Sequence, residues 1–84
     1  MQTGYATILA ENIVALSSTI QKQIPANYGD VDYKSTIEYA RQLTVKCELL
    51  KRHLVDEMRA EGYTWAEVGH VLGVTRGTAW EVYS

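Results

Sequence analysis

The sequence lacks the features that mark several classes of protein. It contains one cysteine, which excludes an intramolecular disulfide framework and a four-cysteine metal site. No apolar run approaches the roughly 20 residues that a membrane-spanning helix requires, and no secretory signal pattern begins the chain. We therefore expect a soluble, cytoplasmic protein in a reducing compartment, with no membrane partner.

An excess of basic residues is also lacking. Eight Lys and Arg residues are opposed by ten Asp and Glu residues, so the net charge is -2. From Lys51 onward, four basic residues are opposed by five acidic ones. Nucleic-acid binders are usually basic, although a local face can be positive while acidic residues lie elsewhere. Any non-specific attraction to phosphate is therefore expected to be modest.

Residue patterns typical of catalytic or metal sites are sparse. His53 and His70 lack a metal-ligand spacing such as H-E-x-x-H, and no glycine-rich phosphate loop follows a strand pattern. Cys47 lies on an apolar stripe. It is therefore more simply interpreted as a small buried hydrophobic residue than as a reactive thiol. We expect a small helical protein that is not an enzyme and uses no cofactor.

Two segments have apolar residues at helical spacing. The first covers residues 5–24 and ends before Pro25, with a loop over residues 26–30. The second begins after a cap at Asp30 or Asp32 and runs from Tyr33 to Glu61, where Gly62 ends it. The predicted apolar stripes are Tyr5, Ile8, Leu9, Ile13, Leu16, Ile20 and Ile24, then Tyr33, Ile37, Ala40, Leu43, Thr44, Cys47, Leu50, Leu54 and Met58.

The second of these helices is too long for the first to cover. Its length is about 43 Å at the usual helical rise. The remainder of its stripe must therefore pack on the C-terminal segment or on a second copy of the chain. We expect one 84-residue domain in which residues 1–62 form a helical hairpin that mediates homodimerisation.

The C-terminal segment, residues 63–84, contains two short helical patterns that meet at a glycine. Thr64 and Glu67 have the spacing of a capping box at the start of a helix over Trp65 to Leu72. Gly73 is suited to the turn that ends this helix, and Thr75 can cap the next one. The predicted inward residues are Trp65, Val68, Val71, Leu72, Val74, Ala79, Val82 and Tyr83.

This segment resembles the small helix-turn-helix units of actinobacterial and phage regulators, and it is similar to the DNA-contacting unit of sigma-factor region four. Gly69 matches the small residue that allows the second helix to cross closely, and Gly73 matches the turn glycine. The family's apolar positions are matched by Val68, Leu72, Val74, Ala79 and Val82. The resemblance covers residues 63–84 only and implies double-stranded DNA as a partner.

The resemblance also implies which residues contact DNA. Thr75, Arg76 and Gly77 match the start of the recognition helix, and Thr78, Trp80, Glu81 and Ser84 match its outward face. Arg76 is the best candidate for a base contact, because a guanidinium can bridge two acceptors of guanine. Thr75 and Thr78 can bond phosphates. Trp80 either packs against Tyr63 or lies exposed, where it can contact a sugar or a thymine methyl group.

Further cations are candidates for phosphate contacts beside the recognition helix. His70 lies on the first helix of the motif, and Arg52 and Arg59 lie near the end of the long helix. Such contacts would fix the register of the protein on DNA without reading its sequence. Two recognition helices of a homodimer would lie about 34 Å apart on a palindromic site.

The sequence therefore predicts an all-α protein of four helices, an N-terminal helical hairpin followed by a C-terminal helix-turn-helix. We expect a homodimeric, sequence-specific transcriptional regulator of bacterial or phage type. The alternative is a protein-interaction module that presents Trp80, Glu81 and Val82 to the transcription machinery or to another regulator. The acidic balance favours this alternative. Strong salt dependence of binding would favour DNA.

Overall fold

The structure is a computed structural model that describes residues 3–24 and 31–84. These residues form four helices: α1 (Thr3–Gln23), α2 (Tyr33–Ala60), α3 (Trp65–Leu72) and α4 (Arg76–Tyr83). No strand occurs in the described ranges, which confirms the predicted all-α class. None of the described helices is both long and apolar enough to cross a lipid bilayer. The predicted stop at Pro25, the loop over residues 26–30 and the possible cap at Asp30 lie outside the described residues.

The chain divides into two compact units, Met1–Leu50 and Lys51–Ser84, and α2 contributes residues to both. Within the first unit, α1 packs against α2, as the predicted hairpin requires. The second unit contains the end of α2 together with α3 and α4. The last turns of α2 thus belong to the same compact unit as the C-terminal helix pair.

Local hydrogen bonds set both ends of α2. The Ser35 amide donates to Asp32 Oδ1 at 3.1 Å, and the Ser35 hydroxyl donates to Oδ2 at 2.9 Å. Asp32 is therefore the cap. At the other end, the Tyr63 amide donates to the Met58 carbonyl at 3.1 Å around Gly62, whose φ is 98°. A positive φ is easiest for glycine, which explains the predicted stop at this residue.

The first unit buries little of its apolar surface. Leu9 is the one fully buried apolar side chain among its described residues, and Ile13, Leu43 and Cys47 are half-buried. The predicted stripes are partly wrong, because the apolar residues of each helix extend around more of its surface than one partner helix covers. The large apolar residues exposed in this unit are Tyr5, Ile8, Val14, Ile24, Tyr33, Ile37, Val45 and Leu49.

The core of the second unit contains one buried hydrophobic side chain from each helix, Val55, Val68 and Ala79. Partly buried residues around these three are Met58, Trp65, Leu72 and Tyr83. This core corrects four predicted inward positions, since Leu54, Val71, Val74 and Val82 are exposed. Three short helical segments enclose a small core, and residues just beside the packed side of a helix remain in contact with water. Val55, rather than its neighbour Leu54, fills the position on α2.

Candidate nucleic-acid interface

The start of α3 is held by a complete capping box. The Glu67 amide donates to Thr64 Oγ1 at 3.1 Å, and the Thr64 amide donates to Glu67 Oε1 at 3.0 Å. The bond from the Thr64 amide, with a second from its hydroxyl, lowers the pKa of the Glu67 carboxyl. The predicted cap is confirmed. These reciprocal bonds satisfy two backbone donors that the first turn of a helix leaves free.

The turn between α3 and α4 depends on two glycines. Gly73 has a φ of 75°, and the Val74 amide donates to the Gly69 carbonyl at 2.9 Å, so the chain reverses at the end of α3. Gly69 is buried where the start of α4 crosses α3. A Cβ atom added to it would lie 2.8 Å from the Val74 carbonyl oxygen. The close crossing expected at Gly69 is therefore present in the structure.

The first turn of α4 is capped by Thr75. Its hydroxyl oxygen accepts from the Thr78 amide at 3.2 Å and donates to Thr78 Oγ1 at 3.0 Å. The predicted cap is confirmed. Because the Thr75 hydroxyl is engaged as both acceptor and donor, Thr78 has the hydroxyl that is better placed to donate to an outside acceptor.

The two sides of α4 have different environments. Ala79 is fully buried, and Tyr83 packs against the core. On the other side, Arg76, Gly77, Thr78, Trp80 and Glu81 are exposed. Arg76 forms no hydrogen bond or ion pair with another residue that the structure describes.

A groove of about 380 Å³ opens beside this exposed side and is lined by Trp65, Arg76, Gly77 and Trp80. Trp80 is 55% exposed, which decides between the two placements left open by the sequence. Trp65 is half-buried and packs against the core while also lining the groove. The sequence indicated Trp65 only as a core residue. Trp65 is the first residue of α3, and this position at a helix end could have indicated that its side chain also reaches the surface beside α4.

Arg52 and Arg59 both bond to the backbone of their own unit. The Arg52 guanidinium donates to the Val82 carbonyl at 3.0 Å and lies 5.1 Å from the centre of the Tyr83 ring. The Arg59 guanidinium donates to the Tyr63 carbonyl and lies 4.8 Å from the Trp65 ring centre. The Arg52 contact places a cation at the C-terminal end of α4, where helix carbonyls favour positive charge. Neither residue was predicted to have this internal role.

His70 lies away from the Trp65–Trp80 groove. It lines a second groove, of about 370 Å³, whose other lining residues are Met58, Tyr63, Ala66, Glu67 and Val71. Val71 is 70% exposed there. The structure thus brings Arg76, Gly77 and Trp80 together, with Thr75 and Thr78 at the same end of α4, and it places His70, Arg52 and Arg59 in other surroundings.

No group of three or more His, Cys, Asp or Glu side chains in residues 3–24 and 31–84 is arranged to hold a metal ion. Comparisons of the chain with protein-family models, with curated proteins and with solved structures give no match. Function is therefore inferred from the side chains of this chain alone.

Proposed function

We propose that this chain is a sequence-specific DNA-binding transcriptional regulator and that α4 is its recognition helix. The observation that carries the proposal is that the arginines of the second unit differ in their bonding. Arg52 and Arg59 bond to backbone carbonyls and support the helix pair, whereas Arg76 is exposed without a partner in the described chain. An unpaired guanidinium at the start of an exposed helix is suited to bidentate binding of guanine O6 and N7.

In the proposed complex, the N-terminal half of α4 enters the major groove. Arg76 contacts a guanine, Glu81 can accept from the amino group of a cytosine, and the Thr78 hydroxyl can donate to a phosphate. Because Arg52 and Arg59 each donate to a backbone carbonyl of the unit, we assign them to supporting α4 and α3 rather than to phosphate contacts. The small number of free cations means that affinity for unrelated DNA is low and that base contacts contribute a large share of binding.

We further propose that the regulator binds as a homodimer through its N-terminal helices. Among the described residues of the first unit, Leu9 alone among the large apolar side chains is fully buried, and Ile8, Val14, Tyr33 and Ile37 are exposed. Apolar surface of this kind is suited to burial against a second copy. Two weak half-site contacts would then be joined through effective concentration. A strictly monomeric mass at micromolar concentration, with and without DNA, would exclude the dimer.

The test of DNA binding is fluorescence anisotropy of a labelled random-sequence duplex, titrated with protein at about 50 and 200 mM salt. We expect salt-sensitive binding that is weaker for Arg76→Ala. Arg41→Ala is the matched control, because it removes the same charge from an exposed surface pair with Glu38 on α2. Equal weakening by the two variants would indicate a net-charge effect. Because affinity for unrelated DNA is expected to be low, the proposal would be removed if, at the lower salt, neither this duplex nor any duplex selected from a random pool were bound.

A protein-interaction module is the second candidate, and the exposure of Trp80 and Val82 on either side of Glu81 favours it. Exposed aromatic and aliphatic side chains are typical anchors of protein interfaces. The partner would be a component of the transcription machinery or another regulator. Binding to such a partner would depend weakly on salt, since burial of apolar surface releases few counterions.

A further inference from the structure

We infer that the groove between Trp65 and Trp80 reads the 5-methyl group of a pyrimidine that lies next to the guanine bound by Arg76. This inference rests on the proposed function and specifies what α4 recognises. The groove combines two indole rings, a glycine and one arginine, all within the C-terminal unit. Its occupant must therefore offer an apolar group beside hydrogen-bond acceptors.

The first argument concerns the apolar wall. Trp80 is 55% exposed although it could have packed in the core, and Trp65 contributes a second indole to the same groove. Gly77 adds no side chain between them, and a Cβ atom at that position would meet nothing within 4 Å. Among the four DNA bases, thymine alone presents a methyl group in the major groove, and 5-methylcytosine presents the same group at the same position.

The second argument concerns charge. Arg76 lines the same groove, and its unpaired guanidinium complements the negative potential of DNA. Guanine offers two acceptors in the major groove that match the guanidinium fork. A guanine next to a methylated pyrimidine therefore supplies both the acceptors and the apolar group that this groove requires.

The second groove does not offer this combination. Met58, Tyr63, Ala66 and Val71 give it an apolar lining, but the residues that line it include no Lys or Arg, and they include the acidic Glu67. Bidentate recognition of guanine O6 and N7 is made by Arg or Lys. The Trp65–Trp80 groove is thus the one of the two that fits an edge of duplex DNA.

The experiment begins with selection of bound duplexes from a random pool by the full-length chain, at about 50 mM salt. Each thymine of the selected duplex is then replaced by deoxyuridine, which removes the methyl group and leaves base pairing unchanged. We expect one replacement per half-site to weaken binding about fourfold, the effect of burying a single methyl group. The sensitive thymine should neighbour the base pair at which Arg76→Ala relaxes preference.

Variants at Trp80 test whether the groove is the surface that contacts the methyl group. Trp80→Ala should bind the thymine and deoxyuridine duplexes equally, whereas Trp80→Phe, which retains an apolar ring, should keep part of the difference. Val71→Ala is the control, since Val71 is exposed on α3 and lines the other groove. It should retain the full fourfold difference. Circular dichroism of each variant establishes that α3 and α4 are still formed.

The outcomes separate this inference from the proposed function. Salt-sensitive binding with no methyl dependence at any thymine would overturn the inference and leave DNA recognition intact. Selection that recovers no bound duplex would overturn both. A methyl effect that persists unchanged in Trp80→Ala would assign the methyl contact to another surface and overturn the inference. Replacing the sensitive thymine by cytosine or 5-methylcytosine then distinguishes thymine from a methylated cytosine as the natural source of the group.

Discussion

Replacement of Gly69 by alanine tests how closely α4 crosses α3. The added Cβ atom would lie 2.8 Å from the Val74 oxygen and 3.0 Å from the carbonyl carbon and oxygen of Thr75. All three are backbone atoms, so no side-chain rotation relieves the contact. Alanine is usually more stable than glycine inside a helix by about 1 kcal/mol, and overpacking of a core costs about 1–3 kcal/mol. Because these contacts are with backbone atoms, we place the overpacking cost in the upper part of its range, at about 2–3 kcal/mol, and expect a net loss of about 1–2 kcal/mol.

The matched control is Gly77→Ala, the same chemical change on α4. No heavy atom lies within 4 Å of the position that its Cβ would occupy. This variant should gain about 0.5–1 kcal/mol from the lower flexibility of its unfolded chain. Urea and thermal unfolding, both followed by circular dichroism at 222 nm, measure these changes, and each kcal/mol corresponds to about 4–8 °C in Tm for a domain of this size. The two variants should therefore shift in opposite directions.

A Tm for Gly69→Ala equal to or above that of the wild type would refute the close crossing. If the reasoning holds, Gly69→Ala should also bind DNA more weakly than the wild type, because relief of the contact displaces the first turn of α4, which begins directly after Thr75. Gly69→Ser should be at least as destabilising as Gly69→Ala, since its side chain is larger than a methyl group. A stable Gly69→Ser variant would contradict the same geometry.

Three further predictions concern hydrogen bonds of the described residues. Thr64→Ala removes the cap of α3 and should cost about 1 kcal/mol in urea unfolding, whereas Thr64→Ser should recover most of it; equal stability of the two would contradict the capping role. The pKa values of Asp32, Glu38 and Glu67 are lowered in the fold, chiefly by bonds from the Ser35 amide, the Arg41 side chain and the Thr64 amide respectively. Their stabilisation is complete above the ordinary values of 3.8 for Asp and 4.5 for Glu and is lost as the pH falls through the lower folded values, so Tm should decline below about pH 4.5, less steeply in Glu67→Gln. Arg52→Met removes the bond to the Val82 carbonyl and should cost about 1 kcal/mol while leaving the salt slope of DNA binding unchanged; a shallower slope would indicate a phosphate contact.

The features that could be predicted from the sequence are those set by a few neighbouring residues. A capping box needs Thr64 and Glu67 three residues apart, and a positive φ at the end of a helix favours glycine, so both ends of α3 were predicted correctly. The start of α4 at Thr75 follows from the same local logic. In each case the partners lie within one helical turn, and no knowledge of distant packing is needed.

Burial was harder to predict because it depends on which partner covers each face. Val71 and Val82 are apolar and lie at helical spacing from core residues, yet both are exposed. The core closes around Val68 and Ala79 with only the end of α2 as a third wall. The burial of Trp80 could not be predicted for the same reason, since its helical spacing is compatible with the core and with the surface.

Individual side-chain bonds between residues far apart in the sequence could not be predicted. The bond from Arg52 to the Val82 carbonyl joins positions 30 residues apart. It gives Arg52, an exposed residue that was a candidate for a phosphate contact, a bond within its own unit. The outward position of Thr78, Glu81 and Ser84 could be predicted from helical spacing, whereas the bonds of Arg52 and Arg59 required the folded arrangement.

The separation of α4 into a packed side and an open side has a consequence for how such a protein can diversify. Ala79 and Tyr83 hold the helix in place, whereas Arg76, Gly77, Trp80 and Glu81 are exposed. Substitutions at these four positions would change the stability of the fold little, so they can accumulate during evolution without loss of folding. If α4 is the recognition helix, as proposed, a duplicated copy could acquire a new target by a few substitutions, and a library randomised at the same positions would yield mostly folded proteins.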